Sequence, residues 1–339
     1  MDINALIRPS LRDLKPYSSA RDEYTGKEGV FLDANENPYG SLNRYPDPYQ
    51  RALKAALADL RNVANEQVFI GNGSDEVIDL CFRLFCEPGK DKVLQFSPTY
   101  GMYKVSAAIN DVEVLDCPLD ASFEIELPKA LKLIKQQQPK LIFVCSPNNP
   151  TGNLFSLETI KALAAASQGV VIVDEAYIDF ANAPSAVRLI DTIDNLIVSQ
   201  TFSKAWGLAA ARVGIAYGNA QLITWLSNIK PPYNVSELNQ QAALDALADK
   251  AGFEQRKRAI LEEKQRLISF FKALPLVEKV YPSETNFILI KLPDATGWYE
   301  RLIGQQIITR NRSSVIADSL RITVGTPTEN DILINAFKA

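Results

Sequence analysis

The sequence predicts an α/β protein with a large, mainly parallel sheet and a second, smaller α+β domain. Two observations support this fold class. From about Gln67 to Gly218, short apolar runs rich in β-branched residues alternate with amphipathic helical windows. After the turn-like stretch 231–236, the pattern changes to a long helical region followed by isolated strands. Near-continuous hydrophobic strands separated by helices are typical of a parallel sheet covered on both faces.

The elements of the first region follow one another in a regular order. Seven apolar runs are candidate strands, at 67–71, 92–96, 112–117, 140–145, 169–174, 195–200 and 212–218. Helical patterns separate them at 75–86, 100–109, 127–137 and 157–167. This alternation predicts a sheet layered between helices.

The second region reads as a smaller unit. A helical pattern runs from about 239 to 273 with a break near Gly252, and a helix near 296–304 and a strand at 320–325 follow it. We therefore predict three segments: an N-terminal arm of residues 1–28 that is part of the small domain, a large domain of 29–235 and a small C-terminal domain of 236–339.

Composition narrows the class of function. Apolar residues make up 47% and the net charge is -4, so there is no electrostatic footprint for nucleic acid. The apolar runs are too short to span a bilayer, and the first residues lack the apolar core of a signal peptide. The four cysteines have no CxxC spacing and are typical of core residues in a reduced protein. We expect a cytoplasmic enzyme without nucleic-acid or membrane partners.

The chain contains no histidine. This excludes every mechanism that needs a histidine base and removes the commonest metal ligand, so we predict no metal site. Chemistry must then use Lys, Asp, Glu, Tyr, Cys or a bound cofactor.

Polar residues follow three of the predicted strands. SPNNPTG follows the strand at 140–145, Asp174 ends the strand at 169–174, and TFSK follows the strand at 195–200. Taken singly, these features are typical of a turn, a helix cap and a surface lysine. Ligands of open α/β sheets bind beyond the carboxyl ends of the strands, which makes the three strand ends a candidate site.

The combined order of these residues is more specific. Asn149, Asp174, Tyr177, Lys204 and Arg212, within SPNNPTG, DEAY and TFSKAWGLAA, resemble the fold-type I pyridoxal-phosphate (PLP) enzymes. The resemblance is to the branch that includes the histidinol-phosphate aminotransferases. It reaches from the N-terminal arm to the C-terminal domain.

This resemblance implies catalytic roles for three residues. Lys204 would carry PLP as a Schiff base and, once freed, move a proton during the reaction. Asp174 would face the pyridine nitrogen, because a buried carboxylate favours its protonated form. Tyr177, with Asn149, would contact the phenolic oxygen of the cofactor.

The resemblance also implies a cradle for the cofactor. GNGSDE (71–76) places glycines before a helix whose backbone N–H groups can face a phosphate. We assign any contact at the acidic first turn to the backbone and not to the carboxylates. The implied cofactor-binding residues are Ser74, Asp75, Thr201, Ser203 and Arg212 around the phosphate, Tyr100 against the ring, and Tyr45 from the other subunit of a homodimer.

Peripheral motifs, among them LKPYSSAR (14–21), point to the substrates. By resemblance, Arg321 would bind the α-carboxylate of glutamate, and Arg310 the substrate phosphate or the side-chain carboxylate of glutamate. Tyr17 and Tyr233 would lie near the substrate phosphate, and Asn35 would shape the pocket. The expected reaction is reversible amino transfer between L-glutamate and imidazole-acetol phosphate, which gives L-histidinol phosphate and 2-oxoglutarate in histidine biosynthesis.

Three alternatives remain open from the sequence. An aromatic amino acid aminotransferase or a threonine-phosphate decarboxylase would share the fold. A non-catalytic PLP-binding regulator would belong to another class, although no basic helix-turn-helix segment is visible.

Overall fold

A computed structural model describes residues 2–17 and 29–338 of the chain. Its larger sheet has seven strands: β1 (Val68–Asn72), β2 (Lys92–Gln95), β3 (Glu113–Asp116), β4 (Leu141–Cys145), β5 (Val170–Asp174), β6 (Leu196–Thr201) and β7 (Val213–Gly218). The strand order is β1-β7-β6-β5-β4-β2-β3. Neighbours from β6 to β3 are parallel, whereas β7 is antiparallel to both β6 and β1. The loop between β6 and β7 contains no α-helix, so β7 returns beside β6 in the opposite direction.

Helices cover both faces of this sheet, as the sequence predicts. They are α1 (Ile3–Leu6), α2 (Arg51–Arg61), α3 (Ser74–Phe85), α4 (Met102–Ile109), α5 (Leu127–Gln137), α6 (Leu157–Ala166) and α7 (Ala220–Ile229). Strand β5 shows why its sequence is apolar throughout: Val171 and Val173 enter one core cluster, whereas Val170 and Ile172 enter the other. With both faces buried, no position favours a polar residue until Asp174 at the end of the strand.

The C-terminal region forms a second layer of helices and strands. Its helices are α8 (Glu237–Ala248), α9 (Lys250–Ala273), α10 (Ala295–Gly304) and α11 (Pro327–Lys338), and its strands are β8 (Lys279–Val280), β9 (Phe287–Lys291), β10 (Arg310–Asn311) and β11 (Ser319–Thr323). The four strands form an antiparallel sheet in the order β10-β11-β9-β8. A separate core cluster joins this sheet to α9 and α11.

The predicted break near Gly252 in the long helical region lies at Asp249, between α8 and α9. Asp249 caps α9 by accepting a hydrogen bond from the backbone N–H of Gly252 at 3.0 Å. A Cβ built on Gly252 would lie 2.2 Å from that carboxylate. The glycine therefore makes room for the cap in the first helical turn.

The start of the N-terminal arm packs elsewhere than we expected. Ile3, Leu6 and Ile7 belong to the core cluster on one face of the large sheet, and not to the core of the C-terminal region. Asn4 accepts a hydrogen bond from the indole N–H of Trp225 on α7 at 3.2 Å. Residues 18–28 of the predicted arm, including part of LKPYSSAR, lie outside the described residues. The boundaries at 28/29 and 235/236 stay predictions.

Three further properties concern the described residues only. None of their helices combines the length and the apolar character needed to cross a bilayer. Within 2–17 and 29–338, no cluster of three or more Cys, Asp or Glu side chains could hold a metal ion. The four cysteines are free and buried.

Candidate active site

A cleft of about 560 Å³ lies at the carboxyl ends of β4, β5 and β6 and reaches the edge of the smaller sheet. Most of the predicted site residues line it: Ser74, Asp75, Tyr100, Asn149, Asp174, Tyr177, Thr201, Ser203, Lys204, Arg212, Arg310 and Arg321. Parallel strands present their carboxyl ends at one edge, which is why residues far apart in the sequence meet here.

Asp174 is the buried acid of the cleft, with 3% of its surface exposed. Its Oδ2 accepts a hydrogen bond from the Tyr103 hydroxyl at 2.7 Å, and its Oδ1 accepts one from the Ala176 N–H at 3.1 Å. Burial raises the pKa of Asp174, and the two hydrogen bonds oppose that rise. The carboxylate would be stabilised by a cationic partner in the cleft. Sequence reasoning missed Tyr103, whose only signal was its place on the apolar face of the predicted helix at 100–109.

Lys204 lies in the loop between β6 and β7 and is accessible from the cleft. Its pKa is lowered, first by partial desolvation and second by the positive charge of Arg321, while Asp174 acts in the opposite direction. The Nζ lies 5.7 Å from the centroid of the Tyr177 ring. A lowered pKa increases the share of neutral amine, which is the form that acts as a nucleophile or base.

A partly buried polar network fixes the loop that carries Lys204. Arg61 donates to Asp179 at 2.8 Å and to the side chain of Gln200 at 2.9 Å. Asp179 also accepts from the indole N–H of Trp206 at 3.2 Å. Trp206 is two residues after Lys204, and Gln200 is the penultimate residue of β6. This network therefore ties the lysine loop to the sheet. The sequence held no local sign of these contacts.

Asn149 links the two sides of the cleft. Its Nδ2 donates to the Tyr177 hydroxyl at 3.3 Å, and its Oδ1 accepts from Arg321 Nη1 at 2.6 Å. Burial raises the pKa of Tyr177, which keeps its hydroxyl protonated and able to donate. The guanidinium of Arg321 lies 5.2 Å from the ring centroid of Phe287, a distance typical of a cation–π contact.

The turn before α3 can receive an anion. Gly73 has φ +78° and gives α3 no side-chain cap, so the first N–H groups of the helix remain available. A Cβ built on Gly73 would lie 2.7 Å from Arg212 Nη2, and one built on Gly214 would lie 2.2 Å from Ser74 N. Only glycine at both positions lets the turn, β7 and Arg212 approach one another this closely.

Hydroxyl groups complete the cradle on the side of the lysine loop. The Thr201 hydroxyl donates to Ser203 Oγ at 2.9 Å and accepts from the Ser203 N–H at 3.1 Å. Both residues line the same cleft as Ser74 and Arg212. Backbone N–H groups, hydroxyls and a guanidinium together are the donor set that suits a phosphate.

The first acidic residue of α3 has a role that we did not expect. Asp75 accepts hydrogen bonds from the Tyr100 hydroxyl and from Arg212 Nη2, both at 3.3 Å. Its carboxylate therefore orients the ring and the guanidinium in the cleft. Glu76 accepts a hydrogen bond from Asn234 Nδ2 at 2.8 Å and another from the backbone N–H of Asn72, so its carboxylate stabilises the turn before α3. Our assignment of Asp75 to backbone contact alone omitted this carboxylate, because its partners are distant in sequence.

The smaller sheet brings arginines to the cleft. Arg310 on β10 lies directly opposite Arg321 on β11. Burial lowers the pKa of Arg321, Tyr177 opposes this, and Arg310 adds to it. Arg312 also lines the cleft and is not among the predicted site residues. Arg312 could have been predicted from its spacing of two residues from Arg310, because in an extended segment this spacing places both side chains on one face.

Four predicted residues do not line this cleft within one chain. Tyr17 and Tyr233 line a separate small cavity, and Asn35 and Tyr45 line an exposed groove of about 480 Å³. The rings of Tyr45 and Tyr233 are stacked with centroids 4.4 Å apart. The roles of these four residues, like those of the residues in the cleft, stay predictions.

Similarity to known proteins agrees with this geometry. Residues 27–337 match the family described as aminotransferase class I and II. The chain is similar to the histidinol-phosphate aminotransferase of Cytophaga hutchinsonii, with 48% identity over 99% of this chain and 98% of that protein. That of Flavobacterium johnsoniae is 47% identical over the same shares. The structure of histidinol-phosphate aminotransferase from Sinorhizobium meliloti in complex with pyridoxal-5'-phosphate has a TM-score of 0.81 and 23% identity, covering 90% of this chain and 88% of that one, which supports the fold.

Proposed function

This chain belongs to the class I and II aminotransferases, and from that premise we propose that it transfers an amino group reversibly between L-glutamate and imidazole-acetol phosphate. The products are L-histidinol phosphate and 2-oxoglutarate. The observation that carries this proposal is a single cleft in which an accessible lysine, a buried carboxylate and an anion cradle face a cluster of arginines. The relatives that match almost the whole chain support the same substrates.

The residues of the cleft fit PLP, the cofactor of this family. The α3 turn with Ser74, the hydroxyls of Thr201 and Ser203, and Arg212 would hold its phosphate. When bound, PLP supplies an electron sink for the carbon that carries the amino group. Asp174 would face the ring nitrogen, because a buried carboxylate gains most from a cationic partner.

The other assignments around the cofactor follow from the same contacts. Tyr100, which Asp75 orients, would pack against the ring. Asn149 and Tyr177 would donate to the phenolic oxygen, since an amide and a protonated hydroxyl are both donors. Each of these groups is held by a hydrogen bond to a neighbouring side chain.

The chain's own residues then divide the work of the reaction. Lys204 Nζ, as a neutral amine, would take the proton from the substrate carbon that bears the amino group. It would later deliver that proton to the cofactor. Arg321 binds the α-carboxylate of glutamate, and Arg310 binds either its distal carboxylate or the phosphate of histidinol phosphate. Guanidinium groups suit this double duty because they pair with both oxyanions.

Each half-reaction can be tested separately with the purified protein loaded with PLP. We expect the visible absorption of the bound cofactor to bleach on adding histidinol phosphate alone and, in another sample, glutamate alone. Bleaching by glutamate but not by histidinol phosphate would contradict the substrate assignment. Faster bleaching by phenylalanine or tyrosine would favour an aromatic aminotransferase, and release of carbon dioxide from threonine phosphate a decarboxylase. No visible band after adding PLP would contradict the function altogether.

We also propose that the active unit is a homodimer, located in the cytoplasm where small biosynthetic substrates are converted. Val30, Leu32 and Tyr39 are 84–89% exposed. They are near in sequence to Tyr45, which is 50% exposed and lines the groove that includes Asn35 and Leu238. A surface so rich in exposed apolar side chains is typical of a contact with another protein. A second copy would bury it and could bring Tyr45 to the partner's cleft.

Mixing two inactive variants distinguishes a site shared between subunits from one built by a single chain. Lys204→Ala and Tyr45→Ala should each be impaired alone. If Tyr45 serves the partner's cleft, the mixed dimer has one intact site, with Lys204 from one subunit and Tyr45 from the other. We expect activity to return after the two variants are unfolded and refolded together, approaching about a quarter of the native value, because random pairing makes half of the dimers mixed.

The control is each variant refolded with itself. Activity that stays at the level of the single variants, with mixed dimers demonstrated by differently tagged chains, would contradict a shared site. A protein that stays monomeric by light scattering while fully active would contradict the dimer.

A further inference from the structure

Among the described residues, Arg312 is the one arginine of the cleft that has no role in the proposed reaction so far. It follows β10, and its backbone N–H donates to the Ser319 carbonyl at 2.9 Å, which continues the ladder between β10 and β11. Arg310 and Arg321 are opposite each other in that ladder. Opposite residues of an antiparallel pair, and residues two apart on one strand, lie on the same face. The three guanidinium groups therefore share the face that looks into the cleft.

The positive charges and N–H donors of these arginines have few partners among the described residues. Among the described residues, none of the three forms an ion pair with a carboxylate. The Nε atoms of Arg312 and Arg321 are buried and have no hydrogen-bond partner. The pKa of Arg312 is lowered by burial and then by the positive charges of Arg321 and Arg310. Buried donors without partners are costly, so a site of this kind is completed by a ligand that accepts their hydrogen bonds.

Resting on the proposed function, we infer that Arg312 is a specificity-determining residue that, with Arg310, binds the phosphate monoester of the substrate. A phosphate monoester carries nearly two negative charges at neutral pH and offers three acceptor oxygens. The distal carboxylate of glutamate carries one charge and two oxygens, which a single guanidinium can satisfy. A second guanidinium beside Arg310 therefore favours the phosphorylated substrate over glutamate.

This assignment predicts unequal losses in the two half-reactions. In the PLP-loaded enzyme, Arg312→Gln should lower kcat/KM for histidinol phosphate by roughly 10- to 100-fold, the effect of losing a hydrogen-bonded partner of a charged group. The glutamate half-reaction should change by less than about 3-fold, because Arg321 and Arg310 remain. Both are measured by stopped-flow bleaching of the cofactor. Arg312→Lys should recover part of the loss, since it keeps the charge but not the fork.

Arg258→Gln provides the matched control. Arg258 is exposed on α9, in the C-terminal region that also contains Arg312, and it does not line the cleft. This variant therefore has the same change in charge and leaves the cleft unaltered. It should behave like the native enzyme in both half-reactions. Equal losses in the two half-reactions of Arg312→Gln, or an unchanged rate with histidinol phosphate, would overturn the assignment.

A second readout separates this inference from the proposed function. If the native enzyme does not react with histidinol phosphate, the proposed substrate is wrong, but inorganic phosphate still probes the arginines. In the loaded enzyme, the phosphate of PLP would fill the α3 cradle, which leaves the arginines as the site for added phosphate. Inorganic phosphate should then inhibit the glutamate half-reaction of the native enzyme and inhibit Arg312→Gln at roughly 10-fold higher concentration. Equal inhibition of both proteins would overturn the role of Arg312 whatever the substrate is.

Discussion

Lys204→Ala is expected to abolish transamination. In the proposed reaction, the side chain of Lys204 supplies both the amine that holds the cofactor and the base that moves the proton. Within the cleft as described, no second lysine could take its place. Loss of a positioned base alone costs up to about 10⁴-fold in rate, so we expect a fall in kcat of at least that size. The measurement is turnover of glutamate and imidazole-acetol phosphate, together with the visible spectrum of the protein after excess PLP is removed.

Lys161→Ala is the control for this variant. Lys161 is on α6, and its side chain is half exposed, in an ion pair with Glu158. Its removal should leave the spectrum and turnover unchanged. Near-normal turnover in Lys204→Ala would refute the assignment of this residue.

Asp174→Ala should leave Lys204 able to hold the cofactor but should slow proton removal by roughly 10²- to 10⁴-fold, or about 3–5 kcal/mol in the barrier. The reason is that no other carboxylate among the described residues of the cleft is as deeply buried, and only a buried carboxylate strongly favours a protonated ring nitrogen. Rates of cofactor bleaching with each amino donor measure the effect. Turnover close to native would contradict the role of Asp174.

Asp174→Asn separates this role from a structural one. Burial raises the pKa of Asp174 in the folded chain, so the folded state holds this proton more tightly than the unfolded state does. Stability of the PLP-free protein should therefore fall as pH rises from the ordinary carboxyl pKa through the raised one. Asparagine has no charge to bury. At pH 7 the PLP-free variant should melt at the same temperature as the native protein or higher, and the difference should shrink towards pH 4.

With PLP bound, the native protein should melt at a higher temperature than Asp174→Asn, because the carboxylate would then pair with the protonated ring nitrogen. The measurement is the melting temperature of the native protein and of Asp174→Asn, each with and without PLP. A variant that is destabilised equally in the two states would show that Asp174 is a structural residue, and its catalytic role would be refuted.

The positions of the large-sheet strands and the polar residues beyond their ends are predictable from the sequence. Strands buried on both faces must be apolar throughout, and this local requirement is visible in 140–145 and 169–174 without knowledge of their neighbours. The same holds for the polar residues beyond the strands, since Asp174 ends the apolar run of β5 and Asn149 lies in the polar turn that follows β4. The resemblance of SPNNPTG, DEAY and TFSK to a known family rested on these short segments.

Which side chains support the site becomes visible only in the folded chain. Tyr103 and Asp174 are 71 residues apart, Asp75 and Arg212 are 137 apart, and Asn149 and Arg321 are 172 apart. The role inferred for Arg312 depends on its pairing with β11, which places it beside two other arginines at the cleft. Apolar periodicity records whether a position is buried, but a hydrogen bond or a repulsion between charges depends on distances set by packing. Those distances exist only once the two sheets have formed.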